Sequence, residues 1–239
     1  MRSKKPILIA GPCSAESRTQ VLNTAQALVE QTNITQFRAG VWKPRTRPGN
    51  FEGIGASALP WLKEVSMKHG IDVCTEVGTP NHVEMCLKNG INSFWIGTRT
   101  TTSPFAVSEL AEAFKGNDIS VMIKNPINPD INLWIGAVER MQIVGIKNVS
   151  LIHRGFSTLE KNKYRYNPVW ELAQEIKKEL PILSLISDPS HIAGHSQFVK
   201  EVVLLAKEQG IFDGFMIESH LHPKTAKTDA QQQITIKPL

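Results

Sequence analysis

At 239 residues, with 41% hydrophobic and 21% charged residues, the chain is long enough for one large globular domain with a sizeable core. No apolar run approaches the roughly 20 residues that cross a bilayer, so we expect no membrane partner. The net charge of +5 comes from scattered basic residues, without a zinc-finger, helix-turn-helix or aromatic RNA-binding signature. This pattern argues against nucleic acid as a partner and favours anionic small molecules.

Short β-rich segments alternate with longer amphipathic segments along the whole chain. Eight predicted strands occupy residues 7–10, 36–41, 72–75, 93–96, 120–123, 149–152, 182–186 and 214–217. Seven predicted helices occupy residues 19–31, 56–69, 80–89, 103–115, 133–144, 168–179 and 196–209. A strand and a helix in each repeat predict a single (β/α)8 TIM barrel over residues 1–239, with a doubly wound parallel sheet as the alternative.

The eighth helix of such a barrel is missing from this pattern, because only about ten residues follow Asp229. We therefore expect the last helix, and a further C-terminal domain after it, to lie outside the printed sequence. A non-enzymatic phosphate-binding module or an inactive barrel is the alternative if the barrel does not close without that helix.

The cysteines indicate the compartment. Cys13, Cys74 and Cys86 are an odd number, which argues against a disulfide framework and for a reducing environment. The apolar segment 7–10 is also too short for a secretory signal. We therefore predict a cytoplasmic protein.

Side chains capable of chemistry follow every predicted strand. They are Cys13, Lys43 with Arg45, Glu76, Arg99, Lys124, Arg154, His191 and Glu218. The carboxyl ends of all strands of a parallel barrel face the same rim, where barrel enzymes have their active sites. Helix caps and solvated loop charges explain such residues at one or two strand ends but not at all eight, so we predict an enzyme.

Four of the polar residues are potential metal ligands. Cys13, His191, Glu218 and Asp229 offer a thiol, an imidazole and two carboxylates, a set that suits a borderline divalent transition metal. No tight ligand spacing is present, so the fold would have to bring them together. The alternative interpretation is a buried small thiol, a capping carboxylate and a surface histidine.

The cations at the strand ends indicate anionic substrates. They are Arg38, Lys43, Arg45, Arg99, Lys124 and Arg154, and the Thr46 hydroxyl follows Arg45. Such a group repels itself unless anions lie within it, and it exceeds what one phosphate needs. We therefore predict two phosphorylated substrates, or one phosphate and one carboxylate. Arg47 is expected to be solvated, and Arg38 and Lys43 lie on opposite faces of the strand unless it bends.

A metal and a ring of cations favour the addition or condensation of phosphorylated carbonyl compounds, with the metal polarising a carbonyl or orienting a water. The alternative is a Schiff-base reaction at Lys124, as in a class I aldolase.

A family resemblance rests on eight motifs in a specific order. They are Gly11-Pro-Cys-Ser, Arg38 with Lys43-Pro-Arg-Thr46, Gly97-Thr-Arg99-Thr, Ile123-Lys124, Arg154-Gly155, Asp188-Pro-Ser-His191, Ile217-Glu218-Ser-His220 and Thr228-Asp229. From about residue 9 to residue 229 the chain resembles the type I 3-deoxy-D-arabino-heptulosonate 7-phosphate (DAHP) synthases, the first enzymes of the shikimate pathway. The closest likeness is to the small-barrel branch, shared with 3-deoxy-manno-octulosonate 8-phosphate synthases.

The resemblance implies a condensation of phosphoenolpyruvate with erythrose 4-phosphate. It implies one divalent metal ion (Mn2+, Fe2+, Co2+ or Zn2+) on Cys13, His191, Glu218 and Asp229. It implies catalytic roles for Lys43, Lys124 and His191. Phosphoenolpyruvate is expected to bind through its phosphate to Arg99 and Arg154 and through its carboxylate near Arg38, Lys43 and Lys124. Arg45 and Thr46 are expected to hold the phosphate of erythrose 4-phosphate. Glu76 and His220 are expected to support the site, and Glu76 is also expected to line the substrate site.

The resemblance also leaves alternatives. The octulosonate-forming relatives use arabinose 5-phosphate, but they carry an Ala-Asn-Arg-Ser type turn where this chain has Pro44-Arg45-Thr46. After Lys124 the sequence Asn-Pro-Ile-Asn-Pro departs from other branches of the family. A homo-oligomer, either a dimer or a tetramer, is expected, and a fused chorismate mutase domain is the hypothesis for the C-terminal continuation.

Overall fold

A computed structural model of the chain describes residues 6–160 and 162–236. The strands are β1 (Ile7–Gly11), β2 (Gln36–Arg38), β3 (Asp72–Val77), β4 (Ser93–Ile96), β5 (Ser120–Lys124), β6 (Asn148–His153), β7 (Ser184–Ser187), β8 (Gly214–His220) and β9 (Ile234–Thr235). The helices are α1 (Arg18–Gln31), α2 (Leu59–His69), α3 (Pro80–Lys88), α4 (Thr98–Thr101), α5 (Pro104–Phe114), α6 (Ile131–Ile143), α7 (Trp170–Glu179), α8 (Pro189–Ala193) and α9 (Ser196–Gln209). None of these helices is long and apolar enough to cross a membrane.

The first eight strands form a closed parallel barrel. Each strand pairs with the next in chain order, and β8 returns to pair with β1 over five residue pairs, from Ile7↔Gly214 to Gly11↔Glu218. Closure confirms the predicted (β/α)8 barrel, and the doubly wound alternative, an open sheet, is wrong. The barrel also closes without an eighth helix, since residues 221–236 contain a 3-10 turn and β9 but no α-helix.

The barrel interior is filled by one apolar layer to which seven of the eight strands contribute. Its members are Ile9, Cys74, Trp95, Met122, Ile152, Ile186 and Met216. The strand that contributes none is β2, where the buried Arg38 places its guanidinium carbon 4.7 Å from the centre of the Trp95 ring. A cation–π contact therefore replaces one apolar contact at the centre of the barrel.

The second core lies between the outer face of the barrel and the surrounding helices. Helix α1, for example, buries Val21, Ala25 and Leu28 on one face, at the spacing of an amphipathic helix. Local signals start several helices as the sequence predicts. Ser17 and Asp130 accept hydrogen bonds from backbone N–H groups three residues on, which satisfies donors that a helix leaves unpaired.

One strand boundary and one additional strand differ from the prediction in a way that affects the site. Strand β2 ends at Arg38 rather than at residue 41, so the alternation of a strand does not continue to Lys43. The side chains of Arg38 and Lys43 therefore lie on the same side, and both donate to the backbone oxygen of Cys13. Beyond β8, the short strand β9 pairs in parallel with the end of β8 through Ser219↔Ile234. This pairing turns residues 221–236 back over the carboxyl end of the barrel.

Candidate active site

The period of a β-strand explains why polar side chains meet at the carboxyl end of the barrel. Side chains two residues apart point to the same face of a strand. The inward apolar layer is therefore followed by a polar layer, in the pairs Cys74–Glu76, Met122–Lys124, Ile152–Arg154, Ile186–Asp188 and Met216–Glu218. Strand β4 has glycine at this position, and a Cβ on Gly97 would overlap with the Glu76 carboxylate.

The predicted metal ligands come together at this polar layer. One ligand atom each of Cys13, Glu218 and Asp229 lies within 4.8 Å of the others. Cys13 Sγ is 3.3 Å from Asp229 Oδ2, and His191 Nε2 is 3.8 Å from Glu218 Oε1. Asp229 has a φ of 44°, a left-handed conformation that costs energy for a residue other than glycine and that aspartate tolerates comparatively well.

Burial and neighbouring charges shape the ionisation of this cluster. Burial, reinforced by the Glu218 carboxylate, raises the pKa of the Cys13 thiol to about 12. Burial also opposes ionisation of Asp229, but His191, Lys43 and Arg165 outweigh it and hold the pKa of Asp229 below its usual value.

The donor set fits a divalent transition metal. A thiol, two carboxylates and an imidazole converge in a buried position, and this mixture of ligands is one that such ions bind well. A bound cation would favour the thiolate form of Cys13 and would offset the repulsion between the carboxylates of Glu218 and Asp229.

Asp188 connects His191, one of the predicted ligands, to Lys124. One carboxylate oxygen, Asp188 Oδ2, lies 2.8 Å from His191 Nδ1 and 2.9 Å from Lys124 Nζ. The other oxygen accepts a hydrogen bond from the His191 backbone N–H. A carboxylate on Nδ1 leaves Nε2 directed at the ligand cluster, as in carboxylate–histidine–metal arrangements. Lys124 is thus paired with a carboxylate, whereas the Schiff-base alternative needs a Lys124 side chain that is free to attack a carbonyl.

A cavity of about 360 Å³ opens above the cluster and is strongly cationic. Its charged lining consists of seven cations and two carboxylates, namely Lys43, Arg45, Arg47, Arg99, Lys124, Arg154, Arg165, Glu76 and Asp229. His191 also lines it, so the cavity reaches the ligand cluster through His191 and Asp229. The excess of positive charge makes this a site for anions carrying more than one charge.

Arg154 is the most buried of the cations that line the cavity, with 4% of its side chain exposed. Its guanidinium carbon lies 3.6 Å from the centre of the Tyr166 ring. Arg154 Nη1 has no hydrogen-bond partner among the residues that the structure describes. A buried guanidinium N–H without an acceptor is costly, so an anion bound here would supply the missing contact.

The remaining predicted residues occupy three positions. Lys43, Arg45, Thr46, Glu76, Arg99 and Lys124 line the cavity. Arg38 lies behind the cluster, where it donates to Glu218 Oε1 at 3.1 Å, and it does not line the cavity. His220 does not line the cavity either, and its Nδ1 accepts a hydrogen bond from the His222 backbone N–H. Arg47, expected to be solvated, is exposed but lines the outer part of the cavity.

No sequence pattern predicted a role for Arg165 or Tyr166, which line the cavity, or for Gln232, which contacts Glu218. The two cavity residues lie within a long loop after β6, where strand periodicity gives no orientation. The charge of Arg165 and its position beyond a strand's carboxyl end were the available signals.

The sequence profile of the DAHP synthetase I family matches residues 2–239. The chain belongs to this family. A curated family relative, phospho-2-dehydro-3-deoxyheptonate aldolase from Thermotoga maritima, is 29% identical over 227 residues, which are 95% of this chain and 64% of the relative. The octulosonate-forming alternative is not favoured by these findings.

Solved structures agree with the family assignment. The crystal structure of phospho-2-dehydro-3-deoxyheptonate aldolase (DAHP synthase) from Thermotoga maritima has a TM-score of 0.84 and 27% identity, covering 96% of this chain and 64% of that chain. A truncated form of 3-deoxy-D-arabino-heptulosonate 7-phosphate synthase from the same organism has a TM-score of 0.81 and 25% identity, covering 96% of this chain and 80% of that chain. The chain thus spans less than two thirds of the length of the curated relative that it matches.

Proposed function

We propose that this chain catalyses the DAHP synthase reaction, in which phosphoenolpyruvate and erythrose 4-phosphate condense to DAHP and inorganic phosphate. C3 of phosphoenolpyruvate forms a bond to the aldehyde carbon, water adds at C2, and the resulting hemiketal phosphate loses inorganic phosphate. The observation that carries the proposal is the cluster of buried Cys13, buried Glu218 and half-buried Asp229 at one end of a cavity lined by seven cations.

The residues that would hold the divalent metal are Cys13, His191, Glu218 and Asp229. When bound there, the metal would supply Lewis-acid polarisation of the aldehyde oxygen, as metals of this class do for carbonyl groups. The nature of the metal (Mn2+, Fe2+, Co2+ or Zn2+) is part of the proposal. Asp188 would fix the His191 ring through the 2.8 Å contact to Nδ1.

Phosphoenolpyruvate would occupy the deeper part of the cavity. Its phosphate would lie between Arg154 and Arg99, and the unpartnered Nη1 of Arg154 supports this assignment. Its carboxylate would face the ammonium groups of Lys124 and Lys43. Both ammonium groups have fixed directions, because Lys124 Nζ is held by Asp188 and Lys43 Nζ by the Cys13 oxygen and sulfur atoms.

Erythrose 4-phosphate would occupy the outer part, with its phosphate on Arg45 and Thr46. Arg99 donates a hydrogen bond to the Thr46 hydroxyl at 3.2 Å, so the two phosphate sites would be adjacent. The aldehyde end of a four-carbon sugar would then extend from the rim towards His191.

Lys43 is our proposed proton donor to the aldehyde oxygen as the new bond forms. Burial opposes its charged form, but Cys13, Glu76 and Glu218 outweigh this effect and keep the pKa of Lys43 above its usual value. An ammonium that remains protonated near the reacting oxygen can give its proton to the developing alkoxide.

The test is an assay of phosphate release by the purified 239-residue chain. We expect release from phosphoenolpyruvate only when erythrose 4-phosphate and a divalent metal are both present, with a seven-carbon sugar phosphate detected by mass spectrometry. Arabinose 5-phosphate serves as the matched control aldose and should give little turnover. Efficient turnover of arabinose 5-phosphate, or release without any aldose, would contradict the proposal.

The assembly is also a proposal. A dimer or tetramer is expected from the family resemblance, and multi-angle light scattering of the purified chain would test it. A fused chorismate mutase domain stays a prediction, tested by the sequence of the whole gene, and the cytoplasmic location stays a prediction, tested by fractionation of the cells.

A further inference from the structure

Two consecutive glutamines, Gln232 and Gln233, are buried beside the ligand cluster, with 0% and 1% of their side chains exposed. Their side chains reach different ligands. Gln232 Nε2 donates to Glu218 Oε2 at 2.6 Å, and Gln233 Oε1 accepts from the Cys13 backbone N–H at 3.0 Å. Neither residue lines the cavity, so neither is placed to touch a substrate.

The orientation of the Gln232 amide is dictated by its two partners. Its oxygen accepts from Arg165 Nη1 at 2.9 Å, and its nitrogen faces the carboxylate of Glu218. Arginine can only donate and an ionised carboxylate can only accept. An uncharged amide is therefore matched to this position, since it offers an acceptor to the cation and a donor to the anion at once.

The same contacts restrict the ligands. Arg38 donates to Oε1 of Glu218 and Gln232 donates to Oε2, so both carboxylate oxygens have a fixed direction. Arg165, which holds Gln232, also donates to Asp229 Oδ1 at 3.1 Å. The Gln232 backbone N–H donates to the Asp229 carbonyl at 3.1 Å, closing a turn that holds Asp229 in its left-handed conformation.

Gln233 acts on the backbone of two ligand segments. Its Oε1 fixes the Cys13 N–H, and its Nε2 donates to the carbonyl oxygen of Thr228 at 2.9 Å, one residue before Asp229. One side chain thus bridges the segment after β1 and the segment after β8. Together the two amides contact Glu218 directly and hold the backbone at Cys13 and beside Asp229.

We propose that Gln232 and Gln233 are positioning residues for the metal site, and that Gln232 sets metal affinity by orienting Glu218. This inference rests on the proposed metal-dependent function. Partners of this kind around metal ligands typically contribute 10- to 100-fold in metal affinity. The amides act before any substrate binds, so their effect belongs to the metal-binding step.

The experiment measures Co2+ binding to metal-free protein by competition with a chromophoric chelator, together with the absorption spectrum of the Co2+ form. Gln232→Met keeps the length of the side chain and removes both hydrogen bonds. Gln231→Met is the matched control, because Gln231 is the exposed neighbour. We expect Gln232→Met to weaken Co2+ binding by about 10- to 100-fold and to shift its ligand-field bands, with Gln231→Met unchanged.

Three outcomes would overturn the inference. If wild type and Gln232→Met have equal Co2+ affinity and equal spectra, the inference about Gln232 is refuted, but the proposed metal site is not. A fall in turnover with unchanged Co2+ affinity and spectrum would show that the residue acts elsewhere. Absence of Co2+ binding by the wild type would remove both the inference and the proposed metal-dependent function. If Gln232→Met does not fold, Gln232→Asn, which retains a shorter amide, is measured against the same expectation.

Discussion

The division of the cavity between two phosphates can be tested by removing one cation from each part. Arg154 is a buried residue with 4% of its surface exposed, whereas Arg45 is partly exposed. A charge-assisted hydrogen bond contributes about 1.5–3 kcal/mol, and solvent exposure moves its value towards the lower end. We therefore expect Arg154→Ala to weaken the binding of its phosphate about a hundredfold and Arg45→Ala to weaken the binding of its phosphate about tenfold.

The two substitutions should weaken the binding of different substrates. Calorimetric titration with phosphoenolpyruvate in the absence of aldose should show the weakening in Arg154→Ala and nearly unchanged binding in Arg45→Ala. The KM for erythrose 4-phosphate should rise in Arg45→Ala. Arg18→Ala is the matched control, because Arg18 is an exposed arginine that does not line the cavity.

One result would refute this division of the cavity. If Arg45→Ala abolishes phosphoenolpyruvate binding while Arg154→Ala leaves it intact, the two phosphate sites must be exchanged. Because Arg154 packs against Tyr166, thermal unfolding of Arg154→Ala is needed to separate lost binding from lost folding.

Three further predictions concern the metal ligands and the pH response. Exhaustive chelation should abolish turnover, and Cys13→Ala should lose both metal and activity, whereas Cys74→Ala should keep its metal because Cys74 belongs to the apolar barrel interior. Retained metal in Cys13→Ala, or loss of metal in Cys74→Ala, would contradict the ligand assignment. Asp188→Asn should weaken both metal and phosphoenolpyruvate binding, since Asp188 contacts both His191 and Lys124; wild-type values for both would be inconsistent with that role. Burial, reinforced by the Arg154 charge, lowers the pKa of His153 to about 4, against a backbone hydrogen bond to Pro168 and the Asp188 carboxylate. Because such a histidine stays neutral in the folded state but is protonated in the unfolded state, the free energy of unfolding falls by up to about 3 kcal/mol as pH falls from about 6.5 towards 4. In urea unfolding, the stability of His153→Gln should therefore depend less on pH across that window. An unchanged pH dependence in His153→Gln would show that His153 is not responsible.

Much of the fold was predictable because period and order are local properties. Eight apolar segments separated by amphipathic helices predict the barrel, and the residues just after each strand predict the chemistry at its rim. Lys124 and Glu218 follow directly from this rule, since each lies two residues after an inward apolar side chain. Cys13 was also predicted as a strand-end residue, but its contacts needed the fold itself, because its partner Asp229 is 216 positions away in the sequence.

The parts that could not be predicted depend on contacts between loops. The amide of Gln232 is polar and could have been solvated, and only the arrival of Arg165 and Glu218 from other elements determines its role. Asp188 caps helix α8, but the same carboxylate also contacts Lys124 from β5, which no local pattern encodes. The boundary of β2 was wrong by three residues, because apolar residues continue to Val41 after the strand pairing ends.

The closure of the barrel by β1 and β8 has a consequence for how the protein matures. Cys13 follows the first strand, and Glu218 and Asp229 belong to the last strand and the segment beyond it. During synthesis the thiol emerges long before its carboxylate partners, so a complete binding site cannot exist until nearly the whole described chain has left the ribosome. An ion captured at this junction would then tie the two ends of the barrel together, resisting the separation of β1 from β8 with which unfolding of a cylinder can begin. Loading with metal should for this reason protect the amides of β1 and β8 from hydrogen exchange more than those of β4 and β5.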